Sequence, residues 1–123
     1  RVIDTFINKI IDREPIALPK KEVSINVSHV SDVCRAIVNS IYLPCMDYCV
    51  FSKNTLSLRY IAEEIMRLVG NTVEINELPN NVDYFYHLKK DNLPKNLFPT
   101  SGSKSFSEYL KMRINEIKDA RRV

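Results

Sequence analysis

Tyr86 and Lys90 are the two residues of this sequence whose types and spacing come nearest to a catalytic pair. On a helix, residues four positions apart share a face, so the lysine ammonium would make the tyrosine hydroxyl a better proton donor. Such pairs are common by chance, however. No strand followed by clustered glycines, which a nucleotide cofactor would need, precedes this one. We therefore assign the pair no catalytic role.

Glycines and histidines exclude two further kinds of site. Gly70 and Gly102 are the only glycines, whereas a phosphate-binding loop needs several close together so that backbone N–H groups can reach the phosphates. The two histidines, His29 and His87, stand apart from any metal-ligand spacing, and we predict no metal site. At the end of a predicted strand, His29 is interpreted as a hydrogen-bonding structural residue rather than a catalytic base.

The three cysteines indicate a reducing compartment. Cys34, Cys45 and Cys49 make an odd number, and no secretory signal accompanies them, so we expect reduced thiols in a cytoplasmic protein. The Cys45-x-x-x-Cys49 spacing is not typical of zinc or redox sites. We interpret the three as buried or half-buried thiols.

Composition favours one globular domain spanning residues 1–123. Hydrophobic residues make up 45% of the chain and charged residues 27%, with a net charge of only +3. The Lys and Arg residues are scattered among acids, so we predict no nucleic-acid partner; a small DNA-binding regulator would need a basic face and a helix-turn-helix. No apolar run approaches the ~20 residues of a membrane helix.

Hydrophobic periodicity predicts four helices separated by short strands, in the order α-β-β-α-β-α-β-loop-α. The stripe of the second helix consists of Val33, Cys34, Ile37, Val38 and Ile41. The predicted helices are residues 2–13, 32–42, 58–69 and about 106–119, and the predicted strands are residues 16–18, 23–30, 48–51 and 72–75.

Capping residues mark the ends of these helices. Ser31 and Ser57 suit N-cap positions, and Gly70 suits the left-handed residue after a helix. Ser105-Phe-Ser-Glu108 matches a capping box, in which each end side chain satisfies a backbone N–H. Residues 78–104 are rich in loop formers, and we expect them to be mobile or dependent on a partner.

Four segments in succession resemble the C-terminal part of extended short-chain dehydrogenases, the NAD-dependent epimerase/dehydratase family that acts on nucleotide sugars. Arg13-Glu-Pro-Ile16 matches the family's helix end, Gly-Glu-Pro-hydrophobic. His29-Val-Ser-Asp-Val-Cys-Arg-Ala36 matches its His-Val-Asp-Asp-Val-Ala-Arg-Ala. The stretch 56–65 resembles its Ser-Leu-Arg-Glu-Ile-Ala helix, and the stretch 105–108 its closing Ser-Leu-Glu-Glu helix.

The resemblance implies a mixed α+β lobe of an α/β enzyme, without the Rossmann half. That half would bind NAD(P) and carry the catalytic Ser/Thr, Tyr and Lys, so none of this chain's residues is assigned to catalysis. The lobe would close over a nucleotide sugar, and its strand near 48–51 would join the sheet of the other half. A start at Arg1 is interpreted as the edge of an excised fragment, not catalytic alone. A homodimer of the parent protein is a further expectation.

Three departures from the family pattern concern substrate contacts. Pro19-Lys-Lys21 stands in place of the family's Gly-Asp-Gly turn, and Ile25 in place of an arginine that contacts the substrate diphosphate. Lys89-Lys-Asp91 occupies the frame of an Arg-x-Asp, so Lys89 supplies charge but no planar two-pronged contact. These changes favour a divergent branch, such as a 4-keto-sugar reductase or a dehydratase.

The candidate substrate-binding residues follow from the alignment with the family pattern. Each also has a purely structural explanation, either as a solvated surface lysine or as a residue packed at a strand end. Two functional interpretations stay open: a substrate lobe of an epimerase, dehydratase or reductase, and a degenerate, non-catalytic interaction or oligomerisation module, which Ile25 favours. The candidates are Lys20, Lys21, Asn26, His29 and Lys89.

Overall fold

The computed structural model describes residues 2–52, 55–79, 97–100 and 105–122, which form a mixed α/β fold of four helices and six short strands. The coarse prediction of fold class is therefore confirmed. In chain order the elements are α1 (Val2–Ile11), β1 (Ile16–Pro19), β2 (Ser24–Asn26), α2 (Val30–Ser40), β3 (Cys49–Ser52), β4 (Thr55–Ser57), α3 (Leu58–Val69), β5 (Ile75–Leu78), β6 (Leu97–Thr100) and α4 (Phe106–Arg121).

The six described strands form three two-stranded sheets. β1 runs parallel to β5, with Ile16 opposite Ile75, and β3 runs parallel to β6, with Cys49 opposite Leu97. β2 and β4 are antiparallel, with Ile25 opposite Leu56. Because the two parallel pairs join strands far apart in sequence, they hold the helices between them in place.

One hydrophobic core lies between three of the helices and the strands β1 and β2. Its central side chains, Ile7, Ile10, Ile61, Ile65 and Leu110, have no exposed surface. They come from the apolar stripes of α1, α3 and α4, which repeat at helical spacing and therefore face one side. Burying such side chains contributes roughly 1.5–3 kcal/mol each.

Helix α2 contributes nothing to that core. It lies against β6, and its two buried residues are Asp32 and Ala36. Its predicted apolar stripe faces outward instead: Ile37 is 60% exposed and Ile41 is 75% exposed. The same type of sequence pattern that packs into the core on α3 is thus largely uncovered on α2.

The end of α1 is a Schellman-type turn built without glycine. Arg13 has a positive φ of 58°, the Arg13 N–H donates to the Ile10 carbonyl at 3.2 Å, and the Glu14 N–H donates to the Lys9 carbonyl at 2.8 Å. The helix consequently ends before Pro15, at Ile11 and not at the predicted residue 13.

Two arginine–aspartate pairs join α1 to α4 across the surface. Arg113 binds Asp4 and Arg121 binds Asp12, and each pair spans 109 positions. Equal spans mean that the two helices run in the same direction, side by side.

Several predicted boundaries are confirmed, and others are wrong. Helix 58–69, the Ser57 N-cap, the left-handed Gly70 (φ 82°) and the Ser105–Glu108 capping box all occur as predicted. The 48–51 strand lies one residue later, at Cys49–Ser52.

Three predicted elements differ from the structure, and two of its strands were not predicted. The 32–42 helix begins at Val30, because His29 and not Ser31 is its N-cap. The 23–30 strand is only Ser24–Asn26, and the 72–75 strand lies at Ile75–Leu78. The strands β4 and β6 were not predicted. Most of the loop-rich stretch 78–104, including Tyr86 and Lys90, lies outside the described residues.

Among the residues that the structure describes, no helix is both long and apolar enough to cross a membrane.

Candidate substrate-binding cleft

A small open cleft lies where β1 ends and α3 begins. Its volume is about 180 Å³, and two cationic side chains, Lys20 and Arg59, share it with one carboxylate, that of Glu22. The remaining lining residues are apolar or proline: Leu18, Pro19, Val23 and Leu58.

Backbone contacts fix the walls of the cleft. The Leu58 N–H at the start of α3 donates to the Val23 carbonyl at 2.9 Å, so the helix is held against the segment that follows β1. The Ser57 hydroxyl accepts from the Tyr60 N–H at 3.1 Å and so caps the helix. The start of α3 therefore faces the cleft, and the positive end of its backbone dipole favours a negative ligand there.

The charges of the cleft also favour an anion. Lys20 and Arg59 are exposed, and within the described part of the chain neither forms an ion pair. Both charges are thus available to a ligand, and together they exceed the single charge of Glu22. Arginine adds planar, two-pronged donors that suit a phosphate.

Arg59 is a residue that the sequence reasoning missed. Its place in the Ser-Leu-Arg frame of α3 marked it as part of a helix and gave no sign of a partner. Its approach to Lys20 depends on the packing of α3 against Val23, which no local pattern reveals.

The other predicted residues lie elsewhere. Lys21 is exposed but does not line the cleft. Asn26 is half-buried on β2, and its side-chain amide donates to the Thr55 hydroxyl across the strand pair at 3.5 Å. Lys89 lies outside the described residues. The structure thus places one of the five predicted residues, Lys20, in the cleft.

His29 has a structural task at the start of α2. Its Nδ1 accepts from the Ser31 N–H at 3.1 Å and lies 2.6 Å from the Ser31 hydroxyl oxygen. Because Nδ1 acts as an acceptor, the neutral ring carries its proton on Nε2. The ring also packs edge-on against Tyr109 of α4, with centroids 5.8 Å apart. His29 is therefore an N-cap that connects α2 to α4.

Ile25, for which the resemblance implied an arginine, is half-buried and packs against the hydrophobic core. It supplies apolar contact where a charged side chain would need solvent or a ligand. Ile25 therefore offers no contact to a phosphate.

Two of the thiols differ from prediction. Cys34 and Cys45 are free and exposed, not buried or half-buried. Cys34 is exposed because it belongs to the outward-facing stripe of α2, and Cys45 is exposed because it lies in the exposed segment after that helix. Nowhere in the described ranges do three or more His, Cys, Asp or Glu side chains cluster as metal ligands would.

The chain matches no protein-family model, no curated protein and no solved structure.

Proposed function

We propose that this chain is the substrate-side lobe of an NAD(P)-dependent nucleotide-sugar epimerase, dehydratase or reductase. In that role it holds the phosphates of the nucleotide sugar, while a separate dinucleotide-binding half of the parent protein holds the cofactor. The cofactor supplies the hydride-transfer chemistry. The fragment alone has no catalytic residue, and its work is binding and orientation.

The observation that carries this proposal is the cation-lined cleft. Its volume of about 180 Å³ is below the ~300–1,000 Å³ of a complete small-molecule site. It exceeds by several times the ~30 Å³ that one water occupies in the liquid, and so has room for a phosphate group. A partial, anion-binding site is what one wall of a two-lobed pocket would contribute.

Lys20 belongs both to this cleft and to the turn where the family pattern has Gly-Asp-Gly. With Ile25 turned to the core, Lys20 and Arg59 take over the contact that the family's arginine makes. The lobe thus reaches the substrate's phosphates from a neighbouring turn.

The local geometry at Arg13 supports the same alignment. The family pattern has glycine at that position, and Arg13 has the left-handed backbone that glycine adopts without strain. A non-glycine residue kept in that conformation indicates that the chain preserves the turn while changing its residue.

A second candidate is a non-catalytic interaction module. It is favoured by Ile25 and by the uncovered stripe of α2. This candidate predicts no affinity for phosphate at Lys20 and Arg59.

Titration with pyrophosphate and with UDP, followed by backbone NMR shifts, tests the proposed cleft. We expect the shifts to centre on residues 18–23 and 58–60. Lys20→Ala and Arg59→Ala should each weaken binding at least about tenfold, because each removes one charge-assisted contact worth ~1.5–3 kcal/mol. Lys111→Ala, which removes an exposed lysine from α4, is the matched control and should leave binding unchanged.

Binding that is absent, or equally affected by all three variants, would rule out the cleft. The enzyme role is tested separately: the parent protein with NAD(P)H and a panel of nucleotide sugars should show turnover. Anion binding without turnover would leave the interaction module as the better explanation.

A further inference from the structure

The rim of the cleft between β1 and α3 carries a carboxylate beside its two cations. Three exposed residues form this rim: Lys20, Glu22 and Arg59. The floor of the cleft consists of buried residues of the hydrophobic core: Leu18, Val23 and Leu58. Because the floor side chains are apolar, side-chain hydrogen bonds from the described lining residues to a ligand can come only from the rim.

Glu22 differs from the two cations in what it offers a ligand. Lysine and arginine side chains only donate hydrogen bonds, whereas an ionised carboxylate only accepts them. Glu22 is therefore the one side-chain acceptor among the described residues that line the cleft. The turn after β1 presents it there, since Lys20 and Glu22 line the cleft and Lys21 between them does not.

Neighbouring cations do not occupy the Glu22 carboxylate. Within the described ranges Glu22 forms no ion pair, either with Lys20 and Arg59 or with any other cation. The carboxylate is thus available to a hydrogen-bond donor on a ligand.

The charges of the rim divide such a ligand into two parts. Lys20 and Arg59 attract a phosphate and Glu22 repels it, so a bound phosphate lies towards the two cations and away from the carboxylate. The cleft volume of about 180 Å³ equals that of about six water molecules at ~30 Å³ each. A phosphate, with five non-hydrogen atoms, fills most of that space. The group that the phosphate carries therefore extends over the rim, where Glu22 is exposed.

We propose that Glu22 is the specificity-determining residue of the cleft and accepts a hydrogen bond from a hydroxyl of the sugar that the bound phosphate carries. The cleft consequently prefers a sugar phosphate to a phosphate without hydroxyls. This inference rests on the phosphate site proposed above and deepens it by naming the chemistry next to the phosphate. The ribose of the nucleotide and the hexose both carry such hydroxyls.

NMR titration of the 123-residue chain with three phosphate monoesters tests the preference. At about pH 8 all three are dianions: methyl phosphate, which has no hydroxyl on its carbon, ribose 5-phosphate and glucose 1-phosphate. The unmodified chain should bind at least one sugar phosphate about tenfold more tightly than methyl phosphate, as one hydrogen bond to a charged group allows. The sugar phosphate with the larger preference identifies the sugar that Glu22 contacts.

Glu22→Ala should reduce this preference to less than about twofold, because the carboxylate contributes the hydrogen bond that methyl phosphate cannot form. The three ligands carry the same charge, so the lost repulsion from Glu22 changes their affinities alike and cancels in the ratio. Glu22→Gln keeps an acceptor oxygen and should retain part of the preference.

Glu14→Ala is the matched control. Glu14 is also an exposed glutamate, but it lies before β1, whereas the cleft lies where β1 ends. This variant loses the same charge and should keep the full preference. Chemical shifts outside residues 18–23 and 58–60 show whether each variant keeps the fold.

The outcomes separate this inference from the phosphate site on which it rests. If none of the monoesters binds, the phosphate site is wrong and Glu22 has no such role. If methyl phosphate binds at Lys20 and Arg59 but the sugar phosphates bind no better, or their preference survives in Glu22→Ala, only the role of Glu22 is overturned. An equal loss of preference in Glu14→Ala would overturn it as well.

Discussion

Arg113 on α4 donates two parallel hydrogen bonds to Asp4 on α1, from Nε to Oδ1 at 2.9 Å and from Nη2 to Oδ2 at 3.1 Å. A third bond, from Nη1 to Glu116 at 2.8 Å, holds the guanidinium in position from its own helix. Both partners of the pair are more than a third exposed, so solvent screens the attraction. The two-pronged geometry, which the bonds from Arg121 to Asp12 share, nevertheless suits this pair to fix α4 on α1.

Arg113→Met is expected to lower the free energy of unfolding by about 1 kcal/mol, at the upper end for exposed pairs because two bonds to Asp4 are lost. Urea denaturation measures it. Arg122→Met is the matched control: its pair with Asp119 is long (3.7 Å) and highly exposed, and its effect should stay within about 0.5 kcal/mol. Equal losses in the two variants would show that the α1–α4 contact adds nothing specific.

Acid should weaken the fold through the same pairs. Hydrogen bonds from Arg113 hold the pKa of Asp4 below its ordinary value, and those from Arg121 do the same for Asp12, although desolvation opposes both shifts. A folded-state pKa below the unfolded one gives stability that is present above pH ~4 and is lost as pH falls through the folded value.

Urea unfolding at pH 7 and pH 3 tests that sign. The difference in stability between the unmodified chain and Asp4→Asn should be present at pH 7 and shrink at pH 3, where Asp4 is increasingly protonated. A difference that is constant with pH would contradict an electrostatic origin.

Arg13→Gly should stabilise the chain by about 0.5–1 kcal/mol. Arg13 has a φ of 58°, which glycine adopts without the clash that a Cβ causes. The gain should be visible as a higher midpoint in urea. Arg13→Ala removes the same side chain but keeps the Cβ, so it should show no such gain; a similar rise in both would point to the guanidinium instead.

Two substitutions separate the helix-capping role of His29 from any role in ligand binding. His29→Ala should cost about 1 kcal/mol of stability, because the Ser31 N–H loses its acceptor, whereas His29→Asn keeps a good N-cap oxygen and should cost less. Thermal unfolding compares them. In the parent protein, a loss of nucleotide-sugar affinity in the stable His29→Asn variant would support substrate contact, and unchanged affinity would leave His29 as a cap only.

Truncation of an isoleucine to alanine should lower the free energy of unfolding more in a buried helix stripe than in an exposed one. Ile61 has no exposed surface, so Ile61→Ala should cost about 2–5 kcal/mol. Ile37 is 60% exposed, so Ile37→Ala should cost less than about 1 kcal/mol in the free energy of unfolding of the monomer. Chemical denaturation at low protein concentration gives both values. Similar losses would mean that α2 is packed more closely than its exposure indicates.

These contrasts show what the sequence could predict. Helix α3 was predicted at its observed limits because Ser57, Gly70 and an apolar stripe agree, and each acts locally. The capping box at Ser105 is equally local. At the start of α2, His29 and Ser31 are both able to cap the helix. The local sequence does not decide between them, and the predicted N-cap, Ser31, was wrong.

Properties that depend on distant packing were not predictable. Periodicity identifies an apolar stripe but not what covers it, so Ile37 and Ile61 look alike in sequence and differ completely in burial. The same holds for the cleft: Lys20 was identified from its place in a turn, whereas Arg59 enters only through the contact of α3 with Val23.

The position of α4 also has a consequence for biosynthesis. Leu110 and Ile114 pack into the same core as Ile7 and Ile10, so α4 completes a core that α1 begins. Until α4 has left the ribosome, the apolar side chains of α1 and α3 that pack against it stay exposed to water. The core of this unit can therefore be completed only after α4 has been synthesised, and a chaperone that shields α1 and α3 would act until then.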